Sequence, residues 1–367
     1  MYARPDFSAL GGEVLLSTLH EVCTKEGASD IHLSPEKKSV RLEWRMHGML
    51  MPLAEISHDH YQELLRRVKF ESKLKLNITN VPQDGQYSFA FESRRVNVRV
   101  ATLPTRFGEA ITLRFLDPNR GIIALEKLGY PKDITKTLAD LVELPQGLVL
   151  ITGPTGSGKT TTLYALLSTI VGKNRNILTL EDPIEYELAG VIQSEIDPSH
   201  DYTFESGLRS LLRHDPDVIL VGEIRDAETA QTAINAALTG HLVLSTLHTN
   251  SAIEAIPRLL SMGVSPYTFA PALRAVIAQR LVRTVRSDCR GNASCKPEDP
   301  KTYDGQMAVA EIVLATTALQ QLILSLEQGA ALEAQAKKDG YRTMKERGMD
   351  LVKDGITTRE EIERVIG

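Results

Sequence analysis

The chain has 367 residues and a formal net charge of −5, with 42 % hydrophobic and 24 % charged side chains; a length of this order predicts roughly two to three domains. The acidic balance argues against a protein that tracks nucleic-acid phosphates, which needs clustered Lys and Arg, and three cysteines make no disulfide framework and suit a reducing cytosol. No apolar run approaches the ~18 residues of a membrane span, and the opening Met1-Tyr2-Ala3-Arg4-Pro5-Asp6 lacks a basic-then-apolar leader pattern, so a cytoplasmic location is expected.

Phe7 to Glu26 reads as a helix, because Leu10, Val14, Leu15, Leu19 and Val22 recur at three- and four-residue steps. A strand section opens at Ala28-Ser29-Asp30-Ile31-His32-Leu33, and Val40, Leu42, Trp44 and Met46 alternate with polar residues before a turn at His47-Gly48. Tyr61, Leu64, Leu65 and Val68 mark a second helix; Tyr87–Phe91, Val96–Val100 and Ile111–Leu116 read as strands. Helices among antiparallel-looking strands predict a small α+β domain over 1–116. Asp117-Pro118-Asn119-Arg120-Gly121 punctuates the chain, and 117–125 is expected to be the hinge. Beyond it, Leu148–Ile151, Ile177–Leu180, Val218–Val221 and Leu242–Ser245 are short apolar runs between helical stretches. That pattern predicts an α/β domain over 126–367, with a parallel sheet buried on both faces. The stretch 286–310 is expected to be irregular and 311–367 helical.

The chemistry centres on Gly153-Pro154-Thr155-Gly156-Ser157-Gly158-Lys159-Thr160, followed by Thr161. It fits G-x-x-x-x-G-K-[ST] between a strand and a helix, the context in which a phosphate-binding loop works. Backbone N–H groups and the helix start meet the anion; Lys159 is expected to reach the β/γ-phosphates and Thr160 to ligate Mg²⁺. Glu181 and Asp182 end a strand, where ligands of open α/β sheets gather, and are candidates for holding Mg²⁺-bound waters, or merely for capping a turn. In Val218-Ile219-Leu220-Val221-Gly222-Glu223 a strand runs into Glu223, the candidate for orienting and deprotonating an attacking water. His241 and His248 bracket another strand; His248 is the better phosphate-sensing candidate, the alternative being a satisfied polar side chain. Upstream, Arg99 and Arg114 sit in alternating strands, where an arginine either faces water or serves phosphoryl transfer in trans.

In order and spacing, Gly153–Thr160, Leu180–Tyr186, Arg213–Asp226 and Gly240–Thr249 resemble the Walker A, Asp box, Walker B and His box of the secretion ATPases. These are the type II secretion, type IV pilus and DNA-uptake motors. Ala28–His32 and Thr102-Leu103-Pro104-Thr105 resemble N-terminal-domain signatures of that family. The resemblance implies a RecA-like P-loop ATPase domain preceded by a smaller PAS-like α+β domain, using ATP and Mg²⁺ in a homo-hexamer. It implies that Arg99 and Arg114 contact a neighbour's nucleotide, that Arg209 and Arg213 are phosphate-side arginines, that Glu223 is catalytic, and that Glu181 serves metal and water. The implied partners are a polytopic inner-membrane platform protein and a cytoplasmic adaptor, with the ATPase peripheral to the membrane. Gln279-Arg280-Leu281-Val282-Arg283-Thr284 and Gly355-Ile356-Thr357-Thr358 resemble the extension motors; a retraction motor of the same fold and a nucleotide-dependent switch are the alternatives. Many extension motors carry a four-cysteine zinc knuckle after this segment. Here Arg286 stands where the first cysteine would fall and only Cys289 and Cys295 remain, too few for a tetrahedral site, so no zinc is expected. Cys23 lies in an apolar helical pattern and is expected in the core.

Overall fold

The computed structural model describes residues 5–292, 294–327 and 329–367; Met1–Arg4, part of the opening read above for a leader, lie outside the described residues. The chain divides into two compact units, residues 1–121 and 122–367.

The first unit contains α1 (Gly12–Glu26), β1 (Asp30–Pro35), β2 (Val40–Met46), β3 (Met49–Ile56), α2 (His58–Glu71), β4 (Gln83–Phe91), β5 (Arg94–Thr105), β6 (Gly108–Leu116) and a single turn, α3 (Pro118–Gly121). The first predicted helix therefore starts later than expected. Phe7–Ala9 is a separate 3-10 turn capped by Asp6, and Gly11 breaks it from α1. The strands form a six-stranded sheet in the order β3-β2-β1-β6-β5-β4, antiparallel throughout. Alternation sends Ile31, Leu33, Val98, Val100 and Leu113 into a core with Leu15, Leu19, Cys23, Tyr61 and Leu64 of α1 and α2. The intervening Asp30, Arg99 and Arg114 take the opposite face.

The second unit runs α4 (Lys132–Val142), β7 (Gly147–Thr152), α5 (Lys159–Ile170), β8 (Ile177–Glu181), β9 (Ile192–Glu195), α6 (Phe204–Leu211), β10 (Val218–Val221), α7 (Ala227–Leu238) and β11 (Leu242–Leu247). It continues with α8 (Ala255–Ser261), α9 (Pro266–Ala272), β12 (Leu273–Val285), β13 (Tyr303–Leu314), α10 (Thr317–Leu324), α11 (Ala330–Lys338), α12 (Met344–Lys353) and α13 (Arg359–Ile366). The seven-stranded sheet has the order β13-β12-β7-β11-β10-β8-β9. It is parallel except for the β12–β13 pair. Every residue of β7, β8, β10 and β11 is buried, as strands covered by helices on both faces must be. One face packs on α7, α9 and α10, the other on α4 and α5.

Two expectations are corrected here. Tyr303–Leu314 is a strand, not irregular or helical chain. Its second half, Ala308–Ile312, is continuously buried, and Glu311 is accommodated because its carboxylate accepts the backbone N–H of Ala252 at 2.8 Å and of Met344 at 2.7 Å. Cys289 and Cys295 are joined as a disulfide rather than being free thiols; their Cα atoms lie 5.5 Å apart, well inside bridging range. Among the described residues, no helix is long and apolar enough to cross a membrane.

Candidate functional site

Because β7, β11, β10 and β8 are parallel neighbours, their C-terminal ends bring four loops to one rim, where α/β sheets bind ligands. The first is residues 153–158. Gly153 and Gly158 adopt φ of 152° and 87°, values that L side chains rarely reach. A Cβ on Gly153 would also lie 2.6 Å from the Gln279 carbonyl oxygen. Pro154, Thr155 and Gly156 form the exposed tip, while Thr160 and Thr161 are half-buried in the first turn of α5. Gly158 gives α5 no side-chain cap, so its first N–H groups stay available to an anion. The Ser157 hydroxyl is buried without a hydrogen-bond partner. Lys159 Nζ donates to the carbonyls of Gly153 at 2.9 Å and Pro154 at 3.1 Å. Burial lowers the ammonium below the usual lysine range, with nearby Glu223 opposing the shift and Arg280 adding to it.

The carboxylates come from the ends of β8 and β10, which pair with each other beyond β11. Glu181 is 4 % exposed and accepts from Tyr164 Oη, from Thr179 Oγ1 at 2.6 Å and from Gln193 Nε2 at 3.1 Å. Burial, together with the Glu181 charge, pushes the Tyr164 phenol well above its ordinary value. Asp182 Oδ2 lies 3.4 Å from Arg225 Nη1, and the same guanidinium pairs with Glu223. Hydrogen bonding to Glu223, opposed by burial, strengthens the guanidinium's hold on its proton. His248 Nε2 stands 3.6 Å from Glu223 Oε2. Backbone and hydroxyl bonds lock the loops together. Gly222 N–H donates to Leu180 O at 2.8 Å and Thr246 Oγ1 to Gly222 O at 2.7 Å. Thr249 N–H donates to Thr152 Oγ1 at 2.8 Å, tying the His248 loop to the strand that carries the phosphate loop.

These residues fit a nucleoside triphosphate: a glycine cradle, an orphaned buried hydroxyl and a lysine satisfied only by neutral carbonyls all suit a polyanion. The fit to Mg²⁺ is narrower. Among the described residues no group of three or more His, Cys, Asp or Glu side chains is arranged to hold a metal ion, and both Glu181 oxygens already accept hydrogen bonds. That leaves the half-buried Thr160 hydroxyl and indirect, water-borne contact with Glu181 and Asp182, a donor set matching the reluctance of Mg²⁺ to lose its waters.

Other predicted residues lie elsewhere. His241 precedes β11, at the opposite end of that strand from His248, and its Nδ1 lies 2.9 Å from Ala236 O. Arg209, on α6, pairs with Glu205 at 2.5 Å, and Arg213 donates to Arg209 O at 3.2 Å and to Ser210 Oγ at 3.3 Å. Arg213 leads into the N-terminal end of β10, the end of that strand opposite Glu223. Arg99 and Arg114 face each other across β5 and β6 in the first unit, and Arg114 Nε donates to Asp30 Oδ1 at 2.8 Å.

Three participants were not singled out by sequence. Arg225 pairs with two of the candidate carboxylates; its position just beyond Glu223 was the available signal. Gln279 is fully buried; its Nε2 donates to Ser157 O at 2.7 Å and its Oε1 accepts from Tyr130 Oη at 3.0 Å. Tyr130 Oη in turn lies 3.0 Å from Thr162 Oγ1.

The family described as Type II/IV secretion system protein matches residues 12–364. The chain is 40 % identical to the Type II secretion system ATPase E of Vibrio cholerae serotype O1, over 96 % of this chain and 74 % of that protein. It is 41 % identical to the Type II secretion system protein E of Dickeya dadantii, over 96 % and 75 %. Among solved structures, the pilus retraction motor PilT with bound ADP superposes with a TM-score of 0.68 at 29 % identity, covering 94 % of this chain and 95 % of that one. The ATPase DotB of Legionella pneumophila gives a TM-score of 0.78 at 23 % identity, over 99 % and 97 %, a likeness of fold. With a parallel sheet carrying a phosphate loop at its C-terminal rim, preceded by a smaller α+β unit, the chain belongs to the type II/IV secretion ATPase family and has its RecA-like fold.

Proposed function

We propose that this chain hydrolyses ATP as one protomer of a homo-hexameric motor that drives assembly of a type II secretion pseudopilus or a related pilus. The single observation that carries the proposal is the shared rim: the Lys159 loop leaves the C-terminal end of β7, and the Glu223–Arg225–Asp182 cluster stands at the same end of the sheet on β10 and β8, one strand beyond. In this reading the loop N–H groups, Lys159 and Thr161 hold the phosphates, and Glu223 orients and deprotonates the attacking water. His248, beside Glu223, registers the γ-phosphate. Mg²⁺, when bound, would offset the charge of the phosphates; Thr160 would ligate it, and Glu181 and Asp182 would hold its waters. Arg99 and Arg114 act in trans, from the first unit of a neighbouring protomer, and Arg209 and Arg213 reach phosphate only across a subunit boundary. The motor works in the cytoplasm against a polytopic inner-membrane platform protein, with a cytoplasmic adaptor and without contacting nucleic acid. Identity near 40 % to type II secretion proteins supports extension over the retraction that PilT's description names.

Steady-state phosphate release tests the reading. Glu223→Gln is expected to slow turnover by about 10²–10⁴-fold, the usual worth of a positioned general base, while ATP binding persists. Unchanged turnover in that variant would refute the assignment.

A further inference from the structure

We propose that Gln279 is the positioning residue that orients the phosphate loop toward its ligand, with Tyr130 fixing the Gln279 side chain in turn; the inference rests on the nucleotide-binding reading above. The amide of Gln279 has one satisfactory orientation. Ser157 O accepts only, so Nε2 must face it, at 2.7 Å, and Oε1 then accepts the Tyr130 hydroxyl proton at 3.0 Å. The Tyr130 oxygen is left to accept from Thr162 Oγ1 at 3.0 Å. The Thr162 and Tyr130 hydroxyl protons and one Gln279 Nε2 proton each meet an acceptor in turn, so the chain of bonds has a single direction.

The consequence for the loop follows from peptide geometry. In a planar trans peptide the C=O and N–H point in opposite directions. Anchoring the Ser157 carbonyl on β12 therefore turns the Gly158 N–H away from β12, toward the open side of the loop. Gly158 then sits at φ 87° and begins α5 without a side-chain cap, which keeps the helix-start N–H groups for an anion. The same residue braces both loop ends. A Cβ on Gly153 would lie 2.6 Å from the Gln279 backbone oxygen, and one on Gly158 would lie 3.2 Å from Gln279 Nε2. Without a donor at this point, Ser157 O is buried and unpaired, and rotation of the 157–158 peptide relieves it at the expense of the N–H aimed at phosphate.

The test uses the full chain, with calorimetric ADP binding, steady-state ATP turnover and thermal melting run in parallel. Gln279→Met keeps length and removes the donor. ADP Kd is expected to rise about tenfold or more, the worth of one hydrogen bond to a charged group. The ATP KM should rise in step, with kcat falling less than about threefold, because the lost contact serves ground and transition states alike. Gln279→Glu keeps the acceptor for Tyr130 but loses the donor to Ser157, and should weaken ADP as much. Tyr130→Phe keeps the donor and should weaken it by about threefold. A side chain that only stabilises the fold would lower the melting temperature and leave the Kd unchanged. The inference is overturned if Gln279→Met binds ADP within about twofold of wild type, or if Tyr130→Phe loses more than both Gln279 variants. Should Gln279→Met fail to melt cooperatively, Gln279→Glu and Tyr130→Phe decide by the same thresholds. A wild-type chain that takes up no ADP removes the nucleotide reading itself, and the inference with it.

Discussion

Glu361→Gln should weaken the attachment of the last helix sharply. The Glu361 side chain on α13 is fully buried. It accepts from the backbone N–H of Arg283 at 2.9 Å, from Arg283 Nε at 3.0 Å and Nη2 at 2.7 Å, and from Arg364 Nε at 2.8 Å and Nη2 at 2.7 Å. Arg283 is itself 6 % exposed, with its guanidinium 3.9 Å from the Tyr303 ring centroid. The amide preserves shape but removes the charge that both guanidinium groups share and presents a donor where only donors converge. Removing one member of a buried ion pair costs about 3–5 kcal/mol. At about 2–4 °C per kcal/mol for a domain this large, the melting midpoint should fall by about 6–20 °C. Acid provides an independent check. Burial raises the Glu361 pKa, but the hydrogen bonds from Arg364 and Arg283 outweigh it and hold the carboxyl below the ordinary value of 4.5. A depressed folded value means that the stabilisation is complete above the ordinary value and disappears as pH falls through the folded one. Wild type should therefore lose stability below about pH 4.5 more steeply than Glu361→Gln. Melting followed by circular dichroism at pH 7 and across the acid range measures both effects. A variant that melts within about 1 °C of wild type at pH 7 would refute the argument, since even the lower limit predicts a larger shift.

Gly153→Ala should abolish tight nucleotide binding, because the added Cβ meets the Gln279 carbonyl oxygen at 2.6 Å at a φ of 152°; wild-type ADP affinity measured by calorimetry would contradict this. In the first unit, Lys69 Nζ bonds both Glu109 oxygens at 3.0 Å and Ile78 O at 2.7 Å, with both side chains buried. Lys69→Met strands the Glu109 carboxylate and should destabilise this unit by about 3–5 kcal/mol, read as a lower urea midpoint. An unmoved midpoint would show that the pair contributes nothing net.

What was legible in the chain was local. Residues 153–160 carry their conformation and chemistry in consecutive positions, and the fully apolar runs at Leu148–Ile151 and Val218–Val221 mark strands covered on both sides. What escaped was set by partners far along the chain. Gln279 contacts a carbonyl 122 residues away, and nothing near it distinguishes a buried bracing amide from a solvated one. Strand β13 was missed for the same reason. Glu311 interrupts an apolar run, as a helix boundary would, until Ala252 and Met344 arrive to donate to it.

Groups that the proposed reaction would use are, in this structure, engaged by the protein itself. Lys159 is held by two neutral carbonyls, and Glu223 is paired with Arg225. A charged phosphate oxygen makes hydrogen bonds roughly twice as strong as neutral ones, so it outcompetes the carbonyls for Lys159. No such advantage applies to Glu223, whose partner is already a cation. Phosphate binding and activation of the proposed base are therefore separable. Arg225→Met should leave ADP affinity within about twofold while changing kcat, because it removes a contact to the base and none to the phosphate loop. A loss of ADP affinity matching that of Gly153→Ala would show that the two halves of the rim are one unit.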